Sequence, residues 1–213
     1  MTAPAPERRP LNSRNSRWAH RAAARLAARG VAPNRISQAS MGFAALAFAA
    51  FWGVGEGVAP QALLLIGALC VQGRLVCNLL DGMVAVEGGL KTSDGPFWNE
   101  APDRLADALI LGGLGLAAGQ AALGLLAASL AIATAYLREL GRAEGLPGDY
   151  SGPMAKPHRM ATVTVGAVAA AVEVATLGST LALTLALWAI VIGTVATILR
   201  RSVRILNGLR ARG

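Results

Sequence analysis

Six long apolar stretches dominate the chain, at residues 34–54, 60–86, 98–119, 121–143, 159–177 and 180–203. As a helix rising about 1.5 Å per residue, each is long enough to cross roughly 30 Å of hydrocarbon. A backbone in hydrocarbon must satisfy its own N–H and C=O groups, so these runs predict helices. Short turns at 53–60, 119–122 and 175–180 join them on one side, and longer connections at 87–97 and 144–158 on the other. Asn34 and Ser37 are candidate caps for the first helix. The third and fourth stretches run almost together. The break is placed at Gly119-Gln120, because one long helix would carry basic residues to the wrong side. The second stretch needs about 27 residues, or about 40 Å, so it must tilt or project into the aqueous phase. Polar residues begin at that projecting end.

Residues 1–14 read as a disordered basic tail and residues 15–30 as an interfacial amphipathic helix. Trp18, Ala22 and Leu26 share one face of that helix, and Arg17, Arg21 and Arg25 form a row on another. A solvated basic arm is the other reading. Residues 31–206 form the six-helix domain, followed by a basic cytoplasmic tail over 207–213. The predicted fold class is thus an all-α membrane protein, with six transmembrane helices preceded by a short interfacial helix. Residues 1–35 contain no apolar run of the kind a cleavable signal peptide needs.

Composition agrees. Hydrophobic residues make up 54% and charged residues 15%, against about 25% charged in soluble domains. The net charge of +8 is distributed asymmetrically. With the N-terminus in the cytoplasm, the early arginines, Arg74, Lys91, Arg104, Arg138, Arg142, Lys156, Arg159 and the basic run 200–212 all fall on the cytoplasmic side. The opposite turns carry only Glu56, with Glu173 near that end. This is the positive-inside pattern, with both termini cytoplasmic, and it suits the cytoplasmic membrane of a bacterium. With 5% aromatic residues and basic residues at membrane ends, no nucleic-acid partner is expected. Cys70 and Cys77 lie within one apolar stretch and read as small packing residues rather than a disulfide or metal pair.

The candidate chemistry sits at the projecting end. Asn78 and Asp81 share a face of the second helix, and Asn99, Asp103 and Asp107 form a row on the third. Two antiparallel helices joined by a short loop can bring these faces together into a nest of oxygen ligands suited to a hard divalent cation. Ionisable groups at the edge of a span are costly there and mark functional sites. The plainer alternative is a pair of polar helix ends.

Residues 78–107 resemble the signature of the CDP-alcohol phosphotransferase family: Asp-x-x-Asp-Gly-x-x-Ala-Arg, eight residues, then Gly-x-x-x-Asp-x-x-x-Asp. Asp81, Gly82, Ala85, Gly95 and Asp103 match at every step of the spacing, while Asn78, Asn99 and Val86 stand where the family has Asp, Asp and Arg. The resemblance implies a membrane transferase of phospholipid biosynthesis. It would move a phosphatidyl or other phospho-alcohol group from a CDP-alcohol such as CDP-diacylglycerol to an acceptor hydroxyl and release CMP. It implies Mg²⁺ or Mn²⁺ held by Asn78, Asp81, Asn99 and Asp103, with Asp103 as general base. Gly82, Ala85 and Gly95 would lie against the nucleotide, and Arg74, Arg138, Lys156 and Arg159 would hold substrate phosphates. Arg74 has a phosphate or Glu139 as its expected partner. The resemblance also implies a possible homodimer through the third and fourth helices, for which the small-residue run 112–118 is a candidate surface. Amide oxygens ligate cations but bring no charge. A member that binds CDP-lipid without turnover is therefore the alternative, and a small transporter is a third reading.

Overall fold

Four of the long helices open with a proline in their first two positions, where the missing N–H has no partner to lose and the fixed φ is already helical. The computed structural model describes residues 16–90 and 92–212. The tail expected over 1–14, and Lys91, lie outside the described residues. Among the described residues seven helices follow in order: α1 (Arg17–Ala28), α2 (Pro33–Gly55), α3 (Pro60–Glu87), α4 (Gly95–Ala117), α5 (Ala121–Ala143), α6 (Lys156–Leu177) and α7 (Leu181–Arg210). The last six close into a ring in the order α3, α2, α4, α5, α7, α6, with α6 returning to α3. Phe51, Leu64, Ile110, Leu114, Met160, Leu187 and Ile190 fill the centre of the ring.

The outer face is apolar too. Leu46, Leu69, Leu125, Val172, Leu185 and Ile192 are exposed, an arrangement that suits lipid and not water. Among the described residues five helices, α2, α3, α5, α6 and α7, are long and apolar enough to cross a membrane, and the chain is an integral membrane protein. Helix α4 is as long as its neighbours, but Glu100, Asp103, Arg104 and Asp107 crowd its first half. Those charges face the bundle interior and its rim, so composition alone does not qualify it.

Glycine sets the α4–α5 contact. A Cβ on Gly115 would lie 2.7 Å from Gly124 Cα, so the backbones approach as only glycine allows. Part of the small-residue run 112–118 is therefore consumed inside the protomer.

Several boundaries differ from expectation. Helix α4 starts at Gly95 and α6 at Lys156, each about one turn early, and α7 runs on to Arg210 through most of the expected tail. Arg204 on α7 pairs with Asp149, and Arg212 donates to the Glu144 and Gly145 carbonyls, tying that end to the α5–α6 connection. Neither Asn34 nor Ser37 caps α2, whose N-cap is Ala32. Pro33 already occupies the helix start, which leaves both side chains free to reach other elements.

On α1 the buried residues are Ala19 and Ala23, against Ile36, Leu79, Met83 and Val84, while Trp18 is 51% exposed. Helix α1 lies close to α3 on this alanine face, which permits an approach that an indole would not.

Candidate functional site

Helices α2, α3, α4 and α6 each contribute to one polar cluster. Two serines a turn apart on α2 orient the α3 groups. Ser40 donates to Asn78 Oδ1 at 2.7 Å, and Ser37 donates to Asp81 Oδ2 at 2.7 Å. With its oxygen held by Ser40, the Asn78 amide turns its nitrogen toward α4 and donates to Asp103 Oδ1 at 2.6 Å. Asp81 Oδ1 accepts the Gly82 N–H at 2.6 Å. Among the described residues Asp81 makes no ion pair.

Asp103 and Asp107 are surrounded by cations. Arg74, fully buried on α3, places Nη2 3.1 Å from Asp103 Oδ1 and 3.2 Å from Asp107 Oδ1. Lys156, the first residue of α6, pairs with Asp103 Oδ2. Arg159, one turn further, donates from Nη2 to Asp107 Oδ2 at 2.9 Å. Buried charges are tolerated when each is paired and hydrogen-bonded. All four oxygens of the two carboxylates have a donor, although Arg74 Nε and Nη1 find no partner among the described residues. The expected Arg74–Glu139 pair does not form. Glu139 pairs with Arg138 and Arg142 on its own helix, and Arg74 is directed into the α3–α4 interface.

The structure thus brings Asn78, Asp81 and Asp103 together and adds Arg74, Lys156, Arg159 and Asp107. Asn99 is exposed near the start of α4, and no hydrogen bond joins it to this set among the described residues. Gly82 and Ala85 are half-buried on α3, and Gly95 opens α4.

Beside the cluster is a polar crevice of about 20 Å³ lined by Arg104, Asp107, Thr134, Arg138, Tyr150, Lys156, Arg159 and Arg201. Five cations face one carboxylate there. The crevice has room for about one water, so a phosphate enters only when a side chain withdraws. Arg138 pairs with Glu100 and lies 5.2 Å from the centre of the Tyr150 ring. Arg201 donates to the Ser151 carbonyl at 3.1 Å. Arg201, Ser37 and Ser40 were not among the expected site residues. The serines recur at i and i+3 on the first turns of α2, which is a legible signal, whereas Arg201 was hidden in the basic run 200–212.

The α3–α4 connection is fastened to α2. Asn34 Nδ2 donates to both oxygens of Asp94 at 3.1 Å, and Trp98 Nε1 donates to Oδ2 at 3.0 Å. Hydrogen bonds from Thr92, Asn34 and Trp98 hold the Asp94 carboxyl below the usual carboxylate range.

The four motif positions offer two carboxylates and two amide oxygens. No group of three or more His, Cys, Asp or Glu side chains suited to a metal occurs among the described residues. Asp103 is already paired with Arg74 and Lys156, so the motif carboxylate free of cations is Asp81. The donor set fits one hard oxygen-seeking ion.

No family model matches the chain. It is 32% identical over 145 residues to a phosphatidylinositol phosphate synthase of Mycolicibacterium smegmatis, and the match covers 63% of each protein. The matched part thus spans less than two thirds of that relative's length. Among solved structures, the phosphatidylinositol phosphate synthase of Mycobacterium tuberculosis with CDP-DAG bound superposes with a TM-score of 0.71 at 23% identity, over 89% of this chain and 94% of that one. The same enzyme in complex with manganese and citrate gives a TM-score of 0.70 at 22% identity, over 88% of each chain. Those likenesses establish the shared fold. The sequence similarity is to a synthase of that kind, and it accompanies the spacing of residues 78–103.

Proposed function

We propose that the chain is a phosphatidyltransferase that uses a CDP-alcohol donor such as CDP-diacylglycerol and an acceptor alcohol bearing a phosphate. The observation that carries this reading is the shared position of Lys156: it pairs with Asp103 in the nest and also lines the cationic crevice. The nest suits the donor's pyrophosphate end, and the crevice suits a second anion. The acceptor hydroxyl oxygen attacks the lipid-side phosphorus of the donor. A new P–O bond forms, the bond to CMP breaks, and the hydroxyl proton passes to Asp103. Asp103 is free to take it once Lys156 turns to the incoming phosphate, which Arg159, Arg138 and Arg201 also hold. Asp81, with the amide oxygens of Asn78 and Asn99, is the set to hold Mg²⁺ or Mn²⁺, which supplies charge neutralisation at the pyrophosphate. Gly82, Ala85 and Gly95 leave space for the nucleotide beside the helix backbones.

The accompanying topology has α4 as a sixth span, α1 lying in the headgroup region, and both termini and the site on the cytoplasmic side of a bacterial membrane. A homodimer places exposed residues of the third and fourth spans against a second copy. The alternative, lipid binding without turnover, finds no support in the relatives, which are named as synthases.

The test is CMP release by purified protein in lipid, with CDP-diacylglycerol, Mg²⁺ or Mn²⁺, and acceptors with and without a phosphate, beside Asp103→Asn. Metal-dependent release confined to phosphorylated acceptors and lost in the variant is the expected result. Release only with phosphate-free alcohols would refute the acceptor class. No release from folded protein would refute turnover.

A further inference from the structure

Asp81, Asp103 and Asp107 supply three negative charges to the cluster, and Arg74, Lys156 and Arg159 supply three positive ones, while Arg104 at its edge is matched by Glu100 at 3.2 Å. The cluster is therefore neutral before any ion enters. One divalent ion at Asp81 adds two positive charges, which the donor's pyrophosphate offsets. A second would add two more where Arg74 and Arg159 are buried and cannot withdraw. Geometry points the same way. Asp103 Oδ1 is held by Arg74 and Asn78, and Oδ2 by Lys156, with Arg104 Nη2 further off at 3.8 Å. Of the three cluster carboxylates, Asp81 is the one whose partners among the described residues, a hydroxyl and a backbone N–H, carry no charge.

We propose that the Lys156 ammonium, fixed at the first turn of α6, is a built-in counter-cation on Asp103 that takes the place of a second divalent ion, so that the acceptor-free site binds one ion per chain. The inference rests on the reading of Asp81 as the ion's carboxylate. Its chemical consequence is specific. Lys156 is tethered but can turn, whereas a second ion would stay on Asp103. A phosphate entering the crevice can draw the ammonium away and leave Asp103 able to accept a proton. Arg74, held by both Asp103 and Asp107, cannot leave in this way.

The experiment counts Mn²⁺ by electron paramagnetic resonance on the full chain in lipid nanodiscs, with neither donor nor acceptor present. The wild-type chain is expected to bind one Mn²⁺. Lys156→Met is expected to tighten binding by on the order of tenfold or more, because a positive charge beside the site is removed, and Lys156→Arg is expected to restore wild-type affinity. Restoring carboxylates with Asn78→Asp and Asn99→Asp should leave the count at one while Lys156 is present. Adding Lys156→Met to that pair should raise it to two. Zero or two ions in the wild type, two ions in the Asn78→Asp/Asn99→Asp chain, or unchanged affinity in Lys156→Met would each overturn the proposal. The single Lys156 variants keep it refutable even if the triple variant fails to fold. The count needs no turnover, so a chain that binds one Mn²⁺ yet releases no CMP would sink the transferase reading and leave this inference standing.

Discussion

Arg74→Met removes a fully buried cation while keeping most of the side chain's length. Arg74 Nη2 serves Asp103 and Asp107 together, at 3.1 and 3.2 Å. Losing it turns a balanced set of three carboxylates and three cations into one with an uncompensated buried charge. Breaking a buried pair by removing one partner costs about 3–5 kcal/mol. The lower end applies here, because Lys156 still holds Asp103 and Arg159 still holds Asp107. For a chain of this size about 3 kcal/mol corresponds to roughly 6–12 °C in Tm. Adding Asp107→Asn restores the charge balance and should recover at least half of the loss. It also removes a carboxylate whose burial was itself costly. The assay is thermal unfolding in detergent with a thiol-reactive dye, since Cys70 is buried and Cys77 half-buried, and both are free. A single variant within about 2 °C of wild type, or a double variant no more stable than the single, would refute the charge-balance account of the cluster.

Gly152 carries φ +134°, and a Cβ there would fall 2.3 Å from Thr197 Cγ2. Gly152→Ala should therefore destabilise by about 1–3 kcal/mol, read as a lower Tm, and a neutral result would mean that the 144–155 connection does not seat on α7 as described. Arg201→Met should raise KM for a phosphorylated acceptor about 10- to 100-fold with a smaller change in kcat and none in the KM for the CDP-lipid; an equal effect on both substrates would show only a loosened loop. The Asp94 carboxyl lies below its unfolded value of about 3.9, so its contribution is complete above that pH and is lost as pH falls through the lower, folded value. A Trp98-dependent fluorescence change in an acid titration should have its midpoint below about 3.9, and a midpoint at or above that value would contradict the Asn34–Asp94–Trp98 clamp.

Much of the site was legible because helical spacing is a strong geometric constraint. Asn78 with Asp81 and Asp103 with Asp107 share faces by their spacing alone, and the short 87–97 connection forces α3 and α4 to run antiparallel. Lys156 and Arg159 were singled out in the connection before the fifth span, and the structure seats them on Asp103 and Asp107 from the first turn of α6. Which partner each cation takes was not legible. Arg74 looked free to reach Glu139, but the direction of its side chain is fixed by the α3–α4 contact. Arg201 was one of a basic run at 200–212, and nothing in a run of arginines marks the one that turns inward.

Hydrophobic run length and the charge asymmetry determined that this is a helical membrane protein, and the spacing across residues 78–103 gave its resemblance to the CDP-alcohol phosphotransferase signature, because each is a local or periodic property that a chain expresses without reference to its neighbours. The closed ring of six helices, the seating of α1 through alanines, the serine clamp from α2 and the neutralisation of Asp103 and Asp107 by Arg74, Lys156 and Arg159 were decided by tertiary structure alone. Those features depend on which helix faces meet, and buried charges choose their partners from whatever lies within a few ångströms across an interface, not along the chain.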